Sequence, residues 1–233
     1  MPRGLLVDLD DTILDDTGAV DSCWTEACLE YDFAGDRRTL IETIQRVRDW
    51  YWSDPDRHRV GRADMSRARR HIVRTALREL QHDDDHLAHR IADRYSELRD
   101  FKLCLLPDAI DTLMWIRASG CRLALVTNGA GDAQRRKIAR FDLSRLFDAI
   151  VVEGELGCGK PDPRVYERSL ELLDVAPSAA WMIGDNLEWD VAAPQRLGLK
   201  GVWIDRSGAG VPPSSGVRPD RIVRNLAELR PHP

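Results

Sequence analysis

Three carboxylates crowd together near the start of the chain: Asp8, Asp10 and Asp11. They follow the apolar run Leu5-Leu6-Val7, which suits a buried strand of a parallel sheet. No apolar core accepts such acids unpaired, so the strand must surface at this point. Strand alternation sends Asp8 and Asp10 to the same side, and a hard cation such as Mg2+ relieves the repulsion of crowded acids. Three later stretches carry complementary groups. Thr127 and Asn128 end the run Leu123–Val126, and Gly129 after them lets backbone N–H groups approach an anion. Lys160 sits between Gly159 and Pro161, and Gly184-Asp185-Asn186 is followed one helical turn later by Asp190. Carboxylates for a cation, with hydroxyl, backbone and ammonium donors for an anion, make an inventory for phosphate and Mg2+. The first stretch alone also reads as an acidic turn after an edge strand.

The elements that would position these groups follow from periodicity. Apolar runs at Leu5–Val7, 123–126, 149–152, 179–183 and 200–204 alternate with helical stretches at 107–119, 132–140, 163–173 and 189–197. Short apolar runs alternating with helices signal βαβ units and a parallel sheet, whose strand ends share one edge. Residues 16–100 read differently. Helical spacing runs through 20–31, 38–52, 64–81 and 84–100 with no alternating strand pattern, so this block is an all-helical insertion after the first strand. Domains are therefore expected at 1–15 with 101–233, and at 16–100. Ser207–Pro219 reads as a Gly-, Pro- and Ser-rich loop, with a short edge strand and a final helix expected over 221–230.

Composition sets the outer limits. The 233 residues are 43% hydrophobic and 31% charged with a net charge of -5, so no basic nucleic-acid surface is expected. No apolar run is long enough for a membrane span, and the N-terminal run is cut short by Asp8, so neither membrane nor secretory signal is expected. Five scattered cysteines without a C-x-x-C pair fit a reducing, cytoplasmic setting.

Asp8-x-Asp10-x-Thr12, Thr127, Lys160-Pro161 and Gly184-Asp185-x-x-x-x-Asp190 resemble the four motifs of the haloacid dehalogenase-like (HAD) hydrolase superfamily, in that superfamily's order. The resemblance implies a Rossmann-like three-layer α/β core with a parallel sheet and an inserted helical cap that selects substrate. It implies a Mg2+-dependent phosphomonoester hydrolase for a small phosphorylated metabolite, working as a monomer or homodimer. In it Asp8 would be the nucleophile and Asp10 the general acid and base. Thr127, the Asn128 backbone and Lys160 would carry the phosphoryl charge. Mg2+ would be held by the Asp8 and Asp185 side chains and the Asp10 carbonyl, with Asp190 and Asn186 behind them. Leu125–Gly129 with Gln134 and Lys137, Phe147–Val152 and Gly184–Asp190 look most like the N-acylneuraminate phosphatase and nucleotidase-like branch. A phosphomutase of the same superfamily is the alternative. A metal-independent 2-haloacid dehalogenase is disfavoured because Asp10 and Asp185 are both kept, and a non-catalytic binding protein because the acids and Lys160 are intact.

Other signals have bland readings. Trp50, Tyr51, Trp52, His58 and Arg59 would line a substrate pocket or simply pack. The Arg-rich stretch 57–78 reads as a solvated helix face, and His82-Asp-Asp-Asp-His86 as a helix start rather than a metal site. Gly157-Cys-Gly-Lys160 lacks the P-loop spacing, and Cys158 beside Lys160 is at most a redox-sensitive thiol.

Overall fold

The computed structural model describes residues 1–230; residues 231–233, included in the expected core, lie outside it. Two compact units make up the chain: Met1–Asp15 with Leu105–Pro233, and Asp16–Cys104.

The first unit is built on a six-stranded sheet. Its strands are β1 (Gly4–Val7), β4 (Arg122–Thr127), β5 (Ala149–Val152), β6 (Ala180–Gly184), β7 (Lys200–Ile204) and β8 (Arg221–Val223). Two short strands, β2 (Leu14–Asp15) and β3 (Cys104–Leu105), form a separate pair. The large sheet runs β5-β4-β1-β6-β7-β8 with every pair parallel. That is the expected α/β class. Leu5, Leu6 and Val7 are fully buried because both faces of a central parallel strand are covered. On one face Leu6, Val126 and Met182 pack with Val165, Tyr166 and Leu170 of α9 (Pro163–Leu173) and Ala193 of α10 (Ala193–Arg196). The remaining helices of this unit are α6 (Ala109–Ala118), α7 (Gly131–Arg140) and the single turn α8 (Glu153–Leu156).

Register and order together place the site. Val7 pairs with Leu125 on one side and Ile183 on the other, so Asp8 leaves β1 between the ends of β4 and β6. Strand order reverses between β5 and β6, on either side of β1 and β4, and ligand crevices open at the carboxyl ends beside such a switch.

The second unit is all helical: α1 (Val20–Leu29), α2 (Arg37–Ser53), α3 (Pro55–Ala63), α4 (Met65–Glu79) and α5 (Asp85–Lys102). Asp36, Asp54, Asp64 and Asp84 each cap a helix, accepting the amides of Thr39, Arg57, Arg67 and Leu87 at 2.8–3.0 Å. Trp24, Leu40, Ile44, Ile72, Val73, Leu77, Ile91 and Tyr95 fill its interior. The sequence pattern did not give α3, whose only buried residue is Gly61. Its signals are a capping Asp54 and Pro55 at the first helical position.

Three expectations shift. The stretch 189–197 is helical but begins as a π-helical turn, Leu187–Ala192, before α10. The final helix is only a 3₁₀ turn at Leu226–Leu229, and 179–183 enters its strand one residue later, at Ala180.

Candidate active site

The local geometry of each strand end explains why these residues meet. Asp8 takes over β1 pairing by donating its amide to the Ile183 carbonyl at 3.0 Å. The chain then turns at once: Ile13 and Leu14 both donate their amides back to the Leu9 carbonyl, and Asp11 adopts a left-handed conformation. Across the rim, β6 ends in Gly184, where a Cβ would lie 2.2 Å from Asp190 Oδ2, so only glycine lets Asp190 close over the strand end. Asn186 accepts the amides of Glu188 and Trp189 at 3.1 and 3.0 Å, capping the π turn that carries Asp190.

Lys160 is the centre of the arrangement. It is 1% exposed, and its Nζ donates to Asp8 Oδ1 at 2.6 Å and to Asp190 Oδ1 at 2.7 Å. Asp190 Oδ2 accepts the Asn186 amide at 3.0 Å, so both its oxygens are occupied. Oxygens of Asp8, Asp185 and Asp190 all lie within 4.8 Å of one another. Asp8 and Asp190 thus share one ammonium, with Asp185 beside them. Burial, opposed by Lys160 but reinforced by Asp190 and Asp185, raises the Asp8 carboxyl well above its ordinary value. Asp185, exposed at the rim, is pushed up to about 7 by desolvation and by Asp190 and Asp11, against the pull of Lys160. Burial works against the Lys160 ammonium, yet Asp190 and Asp8 outweigh it and keep the amine protonated.

This surplus of negative charge is the test of metal fit. Hard carboxylate oxygens, two of them strained toward protonation, make a donor set that a small divalent cation such as Mg2+ satisfies. Asp8 and Asp185 have the oxygens to offer; Asp190 is committed to Lys160 and Asn186.

Asp10 is held by a second pair of side chains. Lys137 Nζ lies 2.7 Å from its Oδ1, and Gln134 Nε2 donates to its Oδ2 at 2.9 Å. Gln134 is buried and also donates to Thr127 Oγ1 and to the Asn128 carbonyl, the latter at 2.9 Å. The Asn128 side chain has a role that was not foreseen: its amide donates to the Lys160 carbonyl and accepts the Lys160 amide, both at 2.7 Å. The geometry therefore gathers Asp8, Lys160, Asp185 and Asp190 in one cluster and ties Asp10 to Thr127 through Gln134. Gln134 and Lys137 stood out in the sequence only as part of a family likeness. Their spacing of three on a helix places both on one face, which was the available signal.

The aromatic cluster and the stretch 82–86 make contacts inside the helical unit. Tyr51 is buried edge-on against Trp52, which meets His58 at 5.3 Å between centroids, and Arg57 lies 3.9 Å over Trp50. Asp83 pairs with Arg78 and Asp84 caps α5, and among the described residues no metal-holding group includes His82 or His86.

Comparison with known proteins gives the family and the fold. Residues 2–198 match the haloacid dehalogenase-like hydrolase family. A phosphoserine phosphatase of Thermus thermophilus is 31% identical over 245 aligned residues, covering 97% of this chain and 96% of that protein. An N-acylneuraminate-9-phosphatase of Rattus norvegicus is 43% identical over 109 residues, 46% of this chain and 44% of its own length. A crystal structure of a Bacillus subtilis HAD-hydrolase bound to magnesium shares the fold, with a TM-score of 0.74 at 22% identity over 98% of this chain and 96% of that one. A match that runs from the first strand through α10, on the same fold, makes this chain an enzyme of the haloacid dehalogenase-like hydrolase family.

Proposed function

We propose that this enzyme is a Mg2+-dependent phosphomonoester hydrolase acting on a small phosphorylated metabolite through an aspartyl-phosphate. The observation that carries the reading is the meeting of Asp8, Asp185 and Lys160 at the ends of β1 and β6. Phosphatase relatives support the reaction class.

Asp8 supplies the nucleophile, its carboxylate held in place by Lys160 and, at 3.3 Å, by the Thr12 hydroxyl. An Asp8 oxygen attacks phosphorus and the bond to the leaving oxygen breaks, while Asp10 gives that oxygen a proton. Water then attacks phosphorus, Asp10 takes back a proton, and the Asp8–phosphorus bond breaks to release phosphate. Lys160, Thr127 and the Asn128 backbone offset the charge of the transferring group. Mg2+, held by Asp8, Asp185 and the Asp10 carbonyl, would supply charge neutralisation and a fixed orientation for the phosphate. Asp190 and the Asn128 side chain act on Lys160, fixing its ammonium and its backbone. The helical unit selects the substrate, and the enzyme works in the cytoplasm.

Hydrolysis of p-nitrophenyl phosphate tests the reading. The wild-type protein turns it over with Mg2+ and without any bisphosphate activator, and EDTA stops it. Asp8→Asn reduces turnover at least a thousandfold with an unchanged circular dichroism spectrum. Retained activity in that variant would overturn the nucleophile assignment.

A further inference from the structure

Strand β7 supplies none of the groups assigned to the chemistry, yet its carboxyl end reaches two sides of the carboxylate cluster. Trp203 pairs in register with Gly184, the last residue of β6. Its indole Nε1 donates to the Asp185 backbone carbonyl at 2.7 Å. Beyond the strand, Arg206 spreads its fork over two acids: Nη1 lies 2.7 Å from Asp11 Oδ1 and Nη2 lies 2.9 Å from Asp15 Oδ1. Asp11 is the left-handed residue of the turn that follows Asp8 and Asp10, and Asp15 ends β2.

Both contacts come from a braced segment. Trp203 and Ile204 are buried, and the Asp205 amide continues the ladder by donating to the Val223 carbonyl at 2.8 Å. The buried Asp205 carboxylate accepts the amides of Gly208 and Gly210 at 2.9 and 2.7 Å and the Ser207 hydroxyl at 2.8 Å. These bonds close the loop on itself where Arg206 leaves it. The Asp185 peptide cannot swing without leaving a buried indole N–H unmet. The Arg206 side chain is 34% exposed and that of Asp11 only 10%, so water screens this pair less than one on the open surface. Only a planar fork holds two acids at once, which lysine cannot do. Charge alone would give Arg206 the opposite effect, because a fixed cation beside the cluster repels a divalent one. Geometry gives the other sign: Mg2+ demands near-ideal octahedral placement, so loops free to drift bind it less well. The grip of one segment on both loops favours geometry.

We infer that Trp203 and Arg206 are positioning residues, which from one strand end fix the spacing between the Asp185 loop and the turn carrying Asp8 and Asp10, and so set the affinity for Mg2+. The inference rests on the Mg2+ reading proposed above.

Calorimetric titration of the full chain with magnesium chloride, at one fixed pH and with no substrate present, tests it. Trp203→Phe keeps a ring and removes the donor, and it weakens Mg2+ binding about fivefold or more. Arg206→Met weakens binding to a similar extent, and Arg206→Lys, able to hold only one of the two acids, falls between. Lys200→Ala, at the exposed start of the same strand, leaves the affinity unchanged. Turnover of p-nitrophenyl phosphate at saturating Mg2+ stays within about threefold of wild type, while the Mg2+ concentration giving half of that rate rises in step with the calorimetric constant. Arg206 is partly exposed, so its variants carry the test even where Trp203→Phe folds poorly. A merely structural role predicts lower melting temperatures with an unchanged Mg2+ affinity in the folded variants, and that result would overturn the inference. Tighter Mg2+ binding in Arg206→Met would overturn it as well, by leaving Arg206 a charge effect alone. Wild-type protein that takes up no Mg2+ would overturn the metal reading and this inference with it, whereas wild-type binding matched by both variants would overturn the inference alone.

Discussion

Lys160 links two buried acids, and its loss exposes what each interaction contributes. Arg and Lys side chains are rarely buried this deeply unless paired, and here both partners depend on one ammonium. Lys160→Met leaves Asp8 and Asp190 facing each other without a counter-charge. It should lower stability by about 3–5 kcal/mol in urea unfolding, along with abolishing turnover. A variant as stable as wild type would show that the acids find other partners. Asp10 makes a finer prediction. Lys137 and Gln134 occupy both its oxygens, so they fix where the carboxyl group points. Lys137→Gln should slow alkyl phosphates, whose leaving oxygen needs a proton, about tenfold more than p-nitrophenyl phosphate, whose leaving group does not. Equal slowing of both substrates would remove Lys137 from that task. Cysteine reactivity is set at the same scale. Burial pushes Cys28 up to about 12 and Cys121 to about 11, whereas Cys104 is exposed, so iodoacetamide near neutral pH should label Cys104 and spare the other two.

Among elements, the turn after β6 does most to assemble the cluster. The π-helical turn swings Asp190 back over Gly184, and Tyr166 of α9 secures that turn by donating to the Trp189 carbonyl. Gly184→Ala places a methyl group inside the Asp190 carboxylate. The expected cost is about 1–3 kcal/mol in thermal or urea unfolding, and loss of most activity because Lys160 loses its anchor. Wild-type activity in that variant would mean the turn can open without cost. In the helical unit, α5 starts on the Asp84 cap, and Asp84→Ala should cost about 1 kcal/mol. The sequence pattern marked these elements unevenly. Ile72, Val73, Ala76 and Leu77 repeat at helical spacing, which made α4 plain. α3 has almost no buried face, so periodicity had nothing to report and only its cap and proline marked it.

Across the whole molecule the clustered negative charge of Asp8, Asp185 and Asp190 makes stability depend on pH. Asp185 has its carboxyl raised from 3.8 to about 7, so the folded state holds that proton more tightly than the unfolded chain. The stability this contributes is complete below 3.8 and is lost as pH rises through about 7. On the proposed reading, Mg2+ would take the place of that proton. Its addition should therefore raise the melting temperature more at about pH 8 than at about pH 6, and the apparent metal affinity should climb over the same range. An equal shift at both values would exclude Asp185 from the metal set.

The sequence by itself determined the fold class and the chemical inventory. Apolar runs alternating with helices specify a parallel sheet through local periodicity alone, and Asp8, Lys160 and Asp185 cannot be hidden in a core without partners. What the tertiary structure decided is which partners they take. The ammonium between Asp8 and Asp190, the Asn128 amide on the Lys160 backbone and the clamp of Gln134 and Lys137 on Asp10 join residues 30 to 152 positions apart. Chain spacing carries no distance information at that range; strand order and register do, and those exist only once the sheet has formed.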